Sequence, residues 1–360
     1  MKKLSSVLLK VLKISGISLL ALIALLFLAP MLFPDTVSDQ IRSWTNQSIK
    51  GELNFSKSRL SFFNHFPSLT LTLYDVSLKG SAPFDKDTLL SSRKLGFGIN
   101  LKKLVFDHTV HINKIFLTDA LVNVQVNEKG EANYNIYKSG PAAKKDNLPD
   151  TSAASLSLER ITIADCRLMY NDKSIPMKIE ADHLYYEGKG DLSQSIFDLA
   201  SHIKTDSLSF SFNNENYITR KAIDADLITR VNTQTLALIF QKNDLQMNKL
   251  ALQFSGKLDF LSNGYDMDFS LASKQADLYQ LITALPPEYI AWLQKTTVKG
   301  VVDLRLNLKG RYIASSREMP DLGLKLNLKD GFIAYENAKL PVSNLKGEAE
   351  IQLPRLDPEQ

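Results

Sequence analysis

The chain has 360 residues, 44% of them hydrophobic and 23% charged, with a net charge of +4. This is the composition of a folded protein rather than a disordered one. The excess charge matches the four lysines Lys2, Lys3, Lys10 and Lys13, so the rest is close to neutral and lacks the concentrated basic face that nucleic acid requires.

Those lysines precede Ile14 to Phe33, a stretch without a charged residue. At about 1.5 Å per residue it spans about 30 Å, the hydrocarbon thickness of a bilayer. With Asp35 the first charge beyond it, the asymmetry predicts a single-pass anchor, N-terminus in the cytoplasm and everything after the anchor across the membrane. A cleaved leader fits less well: the apolar run is long, Ala29 is followed by Pro30, and the only cysteine, Cys166, cannot be a lipoprotein cysteine.

We divide the chain into residues 1–34, the cytoplasmic tip and anchor, and 35–50, a juxtamembrane amphipathic helix. A β-rich region follows at 51–139, a linker or loop at 140–155, and further strands at 156–360, interrupted by a helical hairpin at 273–295. The juxtamembrane helix rests on Asp35 or Thr36 as cap, Val37, Ile41, Trp44 and Ser48 at helical spacing, and Gly51 as stop. Trp44 reads equally as an interfacial anchor or as packing against the first strands.

From Leu53 the apolar period becomes two, the mark of strands with one greasy face. Leu69, Leu71 and Leu73 alternate with polar residues, as do Leu95, Phe97, Ile99 and Leu101, and then Val122, Val124 and Val126. Turns are expected at Lys79-Gly80, Asn127 to Gly130 and Asn171-Asp172. The proline-, alanine- and lysine-rich 140–155 segment has neither period. Alternation then resumes through pairs such as Ile161 and Ile163, Phe210 and Phe212, Leu236, Leu238 and Phe240, and Leu252 and Phe254.

In 273–295, Leu278, Leu281, Ile282 and Leu285 recur at helical spacing, Pro286-Pro287 ends that helix, and Glu288 to Gln294 starts a second. The clearest amphipathic strands follow. Val302, Leu304, Leu306 and Leu308 alternate with Asp303, Arg305, Asn307 and Lys309, and Leu322, Leu324, Leu326 and Leu328 repeat the scheme.

A weak internal repeat runs through the strands: a basic residue, Ile, any residue, an aliphatic, any residue, Asp. It occurs at Lys114 to Asp119 and Arg160 to Asp165, with a looser copy from Leu326 to Tyr335. Such units suggest strands added successively to one long sheet. The last residues, LPRLDPEQ, carry no obvious closing cap, which reads as one portion of a longer groove.

No catalytic motif stands out. There is no G-x-S-x-G elbow or Walker loop, and Gly96-Phe97-Gly98 reads as a bulge or close backbone approach within a strand. The five histidines, His65, His108, His111, His183 and His202, include no pair with zinc-helix spacing. We expect no enzyme activity, no metal and no cofactor, with Cys166 a small buried hydrophobe.

A sheet with one apolar face must bury it against another sheet, against helices, or against something apolar that is not protein. Helices are too few here. The sheet either curls onto itself as a sandwich or barrel, or holds acyl chains on its concave side.

Three stretches resemble a known family. The order of anchor, amphipathic helix and FPSLTLTLYDVSLKG at Phe66 to Gly80 is similar to the N-terminus of the bacterial AsmA family. His111 to Tyr137 resembles that family's next signature, and Leu328 to Leu353 its downstream repeat, with Asp330-Gly331, Tyr335, Pro341-Val342 and Asn344 to Gly347 in order. The resemblance implies an inner-membrane protein with a periplasmic β-rich groove, related in architecture to bridge-like lipid-transfer proteins. It also implies a role in phospholipid supply to the outer membrane or in its assembly, and brings no catalytic residues.

The expected fold is therefore mainly β: a transmembrane helix, then an elongated, curved antiparallel sheet forming an apolar groove, with a few short helices. Expected partners are a phospholipid or other acyl lipid, the inner membrane, and outer-membrane or envelope assembly proteins. Groove candidates are Leu69, Leu71, Leu73, Phe97, Ile99, Leu304, Leu306, Leu308, Leu324 and Leu326. The rival function is a periplasmic assembly or chaperone module that binds unfolded outer-membrane proteins along exposed sheet edges.

Overall fold

The structure, a computed structural model, describes residues 38–353 except 40, 44, 47–48, 66–67, 101–102, 104–105, 108–110, 137–154, 262, 287–289, 314 and 317. The proposed span Ile14–Phe33, the linker from 140 to 154, and Trp44 lie outside the described residues. Among the described residues no helix is long and apolar enough to cross a membrane.

Among the described residues, fifteen strands form one sheet. In chain order they are β1 (Leu53–Asn54), β2 (Lys57–His65), β3 (Ser68–Lys79), β4 (Thr88–Ile99), β5 (His111–Val126), β6 (Ser155–Asp172), β7 (Met177–Lys189) and β8 (Ile196–Phe212). There follow β9 (Glu215–Asn232), β10 (Ala237–Met247), β11 (Leu250–Leu261), β12 (Gly264–Asp277), β13 (Thr296–Ile313), β14 (Asp321–Tyr335) and β15 (Val342–Leu353). Strands β3 to β15 lie side by side in sequence order, while β1 and β2 both pair with β3.

The sheet is mixed, not purely antiparallel: β5 and β6 run parallel. After β5 the chain folds back on itself. Val126 bridges Ala132, Asn127 Oδ1 accepts the amides of Lys129 and Glu131, and Asn133 is buried between Gln125 N and Asn123 O. The connection through 154 then restarts β6 beside the beginning of β5. The two halves of the internal repeat become neighbours in register: Ile115 opposes Ile161, Leu117 opposes Ile163, and Ala120 opposes Cys166.

The repeated aspartate has a backbone role. Asp119, Asp165 and Asp330 have φ of 49°, 56° and 52°, and Asp75, His183 and Gln275 share that left-handed conformation. Each lies where cross-strand pairing skips, as between Ile163/Cys166 and Ser273/Ala276. Such a bulge bends the sheet and brings two residues three apart onto the same face. Leu73 with Val76, Leu117 with Ala120, and Ile163 with Cys166 flank these bulges and pack in one cluster.

The helical region is smaller than the sequence reading gave. Among the described residues, Ser273 to Asp277 complete β12, α1 covers Leu278–Ala284, and a 3-10 turn covers Ala291–Lys295. Strand geometry wins up to Asp277 because that residue caps the helix, its carboxylate accepting the amides of Tyr279 and Gln280. Leu236 belongs to the turn before β10, with φ 52°. Gly96 and Gly98 mark a close approach: a Cβ at Gly98 would lie 2.8 Å from Lys114 Cβ, and one at Gly96 3.3 Å from Phe116 Cβ.

Candidate functional site

Register carries one apolar face across the sheet. Leu71 opposes Phe97, Phe97 opposes Ile115, and Ile115 opposes Ile161. At the far end Phe254 opposes Leu271, which opposes Leu306, which opposes Leu324, which opposes Ile351. Even spacing puts Arg305, Asn307, Lys309 and Lys325 on the other face, where Lys309 pairs with Asp268 and Lys325 with Glu350.

Three of the hydroxyl groups that fall on the apolar face bond to neighbouring backbone. Ser92 Oγ donates to the Lys94 or Thr118 carbonyl, Thr205 Oγ1 to Asp182 O, and Ser273 Oγ to Ala251 O. Their polarity is thereby neutralised at the bulges, and the surface stays greasy.

This face is concave. Phe212, at the end of β8, meets Tyr312, near the end of β13, with ring centroids 5.3 Å apart and an edge-to-face angle of 74°. Those strands are five places apart, so their contact requires the sheet to curl toward the apolar side. Within the curl Phe240, Phe254 and Phe269 form a ring cluster with centroids 5.2 to 6.0 Å apart.

Protein covers the two ends of the face differently. Toward the N-terminus, Ile41, Ile49, Leu53 and Phe55 pack onto Leu73, Val76, Leu95, Leu117 and Cys166. Arg42 secures that cover by donating to Phe55 O at 2.8 Å and lying over the Phe55 ring, and Asn46 bonds both N and O of Leu53. Farther along, α1 sets Leu281 and Ala284 on Leu250, Leu252, Ala276 and Val302. The C-terminal end of α1 is held by Lys221, 5% exposed, whose Nζ donates to the carbonyls of Thr283 and Leu285 at 2.7 Å each.

All ten groove candidates fall on this one face. They are not equivalent. Leu73, 1% exposed, and Ile99 are buried by protein, whereas Leu69, Leu71, Phe97, Leu304, Leu306, Leu308, Leu324 and Leu326 are half-buried. Phe240 and Phe254 were legible as strand residues but not as parts of the site, and Tyr312 lies beyond the alternation that marked its strand; only the curl brings these rings together.

Cys166 is 1% exposed, and burial pushes its thiol up to about 11. Among the described residues no three His, Cys, Asp or Glu side chains are placed to hold a metal ion.

The fold and its one-sided apolar surface define a long β-trough protein. The AsmA family model matches residues 7–184, which include the first strands and both parallel repeat units, and the chain belongs to the AsmA family. No curated protein matches it.

Proposed function

We propose that this is a membrane-anchored periplasmic protein that shields acyl chains on its concave face and supports phospholipid transport to, or assembly of, the outer membrane. The carrying observation is the half-buried row Leu304, Leu306, Leu308, Leu324 and Leu326, an apolar surface in register with Phe254 and Phe269 and left partly uncovered. Family membership supports the same reading, as does the apolar stretch Ile14–Phe33, which would tether the trough to the inner membrane. The chain acts here without catalysis, its partner an acyl lipid.

A photo-crosslinker placed at Leu306 is expected to capture lipid, and one at Arg305 or Asn307 is not, because neighbouring strand residues face opposite sides. Equal capture at the three positions would overturn the reading, as would the consistent absence of phospholipid in native mass spectra of the full chain in gentle detergent.

One observation favours a second reading. Among the described residues, strand β15 pairs only with β14 and exposes Val342, Ile351 and Leu353, the type of edge to which a client strand adds. A Glu348→Pro substitution that abolishes client binding while Leu306 still captures no lipid would favour the assembly module.

A further inference from the structure

Where the curled sheet meets itself, one polar group sits among aromatic rings. Asp172 ends β6 and is 6% exposed; Met177 opposes it on β7, and Phe212 opposes Met177 on β8. From the other wall, Tyr312 packs its ring on Phe212, and Tyr265 opposes Tyr312 in register. Tyr170, two residues before Asp172 and on the same face, donates its hydroxyl to Asp172 Oδ2 at 3.1 Å. Four rings from strands β6, β8, β12 and β13 thus gather about one carboxylate.

The carboxylate is held in place but not exhausted. Among the described residues, Oδ1 accepts from Ser174 N, Ser174 Oγ and Ile175 N at 2.9, 2.6 and 3.2 Å, while Oδ2 accepts only from Tyr170. A carboxylate oxygen has room for about two donors, so Oδ2 retains one acceptor direction. No cationic side chain pairs with Asp172 among the described residues. Burial first and the Asp172 charge second raise the phenols of Tyr170, Tyr265 and Tyr312, so all three lie within its field and stay neutral.

Position matters as much as composition. Asp172 and Phe212 are the last residues of their strands, and Tyr265 and Tyr312 lie within two residues of strand ends. Strand ends form the rim of a trough whose floor is apolar, which is where a lipid's headgroup sits when its chains lie on the floor. Buried negative charge ringed by π faces suits an organic cation, because both the carboxylate and the ring quadrupoles attract it. An anionic headgroup would meet repulsion there.

We propose that Asp172, with the rings of Tyr170, Phe212, Tyr265 and Tyr312, forms a rim site that selects lipids whose headgroup carries an ammonium. The proposal rests on the lipid-shielding reading and adds to it a headgroup preference. Chain contacts come from the phenylalanine cluster and the leucine rows; discrimination comes from the rim.

The test is competition. Full-length protein in detergent is offered equimolar phosphatidylethanolamine and phosphatidylglycerol with the same acyl chains, and bound lipid is read by native mass spectrometry. Wild type is expected to favour the ethanolamine lipid by about tenfold, the ratio that about 1.4 kcal/mol of cation attraction gives. Asp172→Asn keeps an acceptor for the turn amides and removes the charge; it is expected to bring the ratio of the two bound lipids to about one. Tyr312→Leu, which keeps an apolar filler, is expected to weaken the preference partially. Equal uptake of both lipids by wild type, or an unchanged ratio in Asp172→Asn, overturns the rim site and leaves lipid shielding intact. Uptake of neither lipid overturns the shielding reading itself. Free glycerophosphoethanolamine, which lacks chains, is expected not to compete; full competition by it would overturn the assignment to a lipid.

Discussion

The rings of Phe212 and Tyr312 touch edge to face at 5.3 Å although their strands are separated by four others in the sheet. A contact of this kind does not arise from local sequence. It fixes how far the sheet curls, and therefore how wide the trough is between β8 and β13.

If the ring contact sets that closure, Phe212→Leu and Tyr312→Leu should be coupled. Edge-to-face pairs contribute about 0.5–1.5 kcal/mol beyond area burial, so a double-mutant cycle on thermal or denaturant unfolding is expected to return about 1 kcal/mol of coupling. Strict additivity would mean that the rings merely share a neighbourhood.

Periodicity in the sequence revealed the strands because each side chain's face follows from its own position. Leu304, Leu306 and Leu308 could be set on one side, and Arg305 and Asn307 on the other, without knowing any partner. Partner choice is a different matter. The turn at Asn127 to Gly130 looks like a hairpin, and nothing in 137–154 announces that the chain returns to run parallel with β5. The Asp119 and Asp165 repeat was visible, and aspartate's tolerance of left-handed backbone was the available clue to a bulge. Asp172 and Tyr312 are 140 positions apart in the numbering, and only the accumulated bend of intervening strands relates them.

The bulge aspartates yield a prediction about backbone. With φ near 49° and a partly exposed ion pair to Arg93, Asp119 contributes through its backbone conformation more than its charge. Asp119→Gly is expected to be neutral or slightly stabilising. Asp119→Val, a β-branched residue in the left-handed region, should cost about 1–2 kcal/mol or more, read as a lowered unfolding midpoint. Equal effects of the two would refute the conformational role.

Cys166 offers a pH test. Its thiol is raised from an ordinary 9.0 to about 11, chiefly by burial, so the folded protein binds this proton more tightly than the unfolded chain. The associated stability is complete below about pH 9 and is lost as pH rises through about 11. Cys166→Ala should flatten the alkaline part of the stability profile. Thiol reagents at pH 8 should leave the native protein unmodified and label it on unfolding; rapid native labelling would contradict the burial.

Lys221 tests how α1 is held over the trough. Its ammonium is buried on the β9 strand and bonded to two carbonyls at the end of a seven-residue helix that is too short to be stable alone. Asn248 Nδ2 adds a third bond, 3.2 Å to Thr283 O. Lys221→Met keeps the apolar stem and removes the charge. Hydrogen bonds to a charged group contribute about 1.5–3 kcal/mol, and the loss should fall mainly on α1, because Leu250, Leu252 and Val302 pack with one another independently of it. Hydrogen exchange is therefore expected to accelerate in 278–285 by roughly tenfold or more while the amides of β11 and β13 keep their protection. If β11 and β13 lose protection together with the helix, α1 is an inseparable part of the core rather than a segment latched by one lysine.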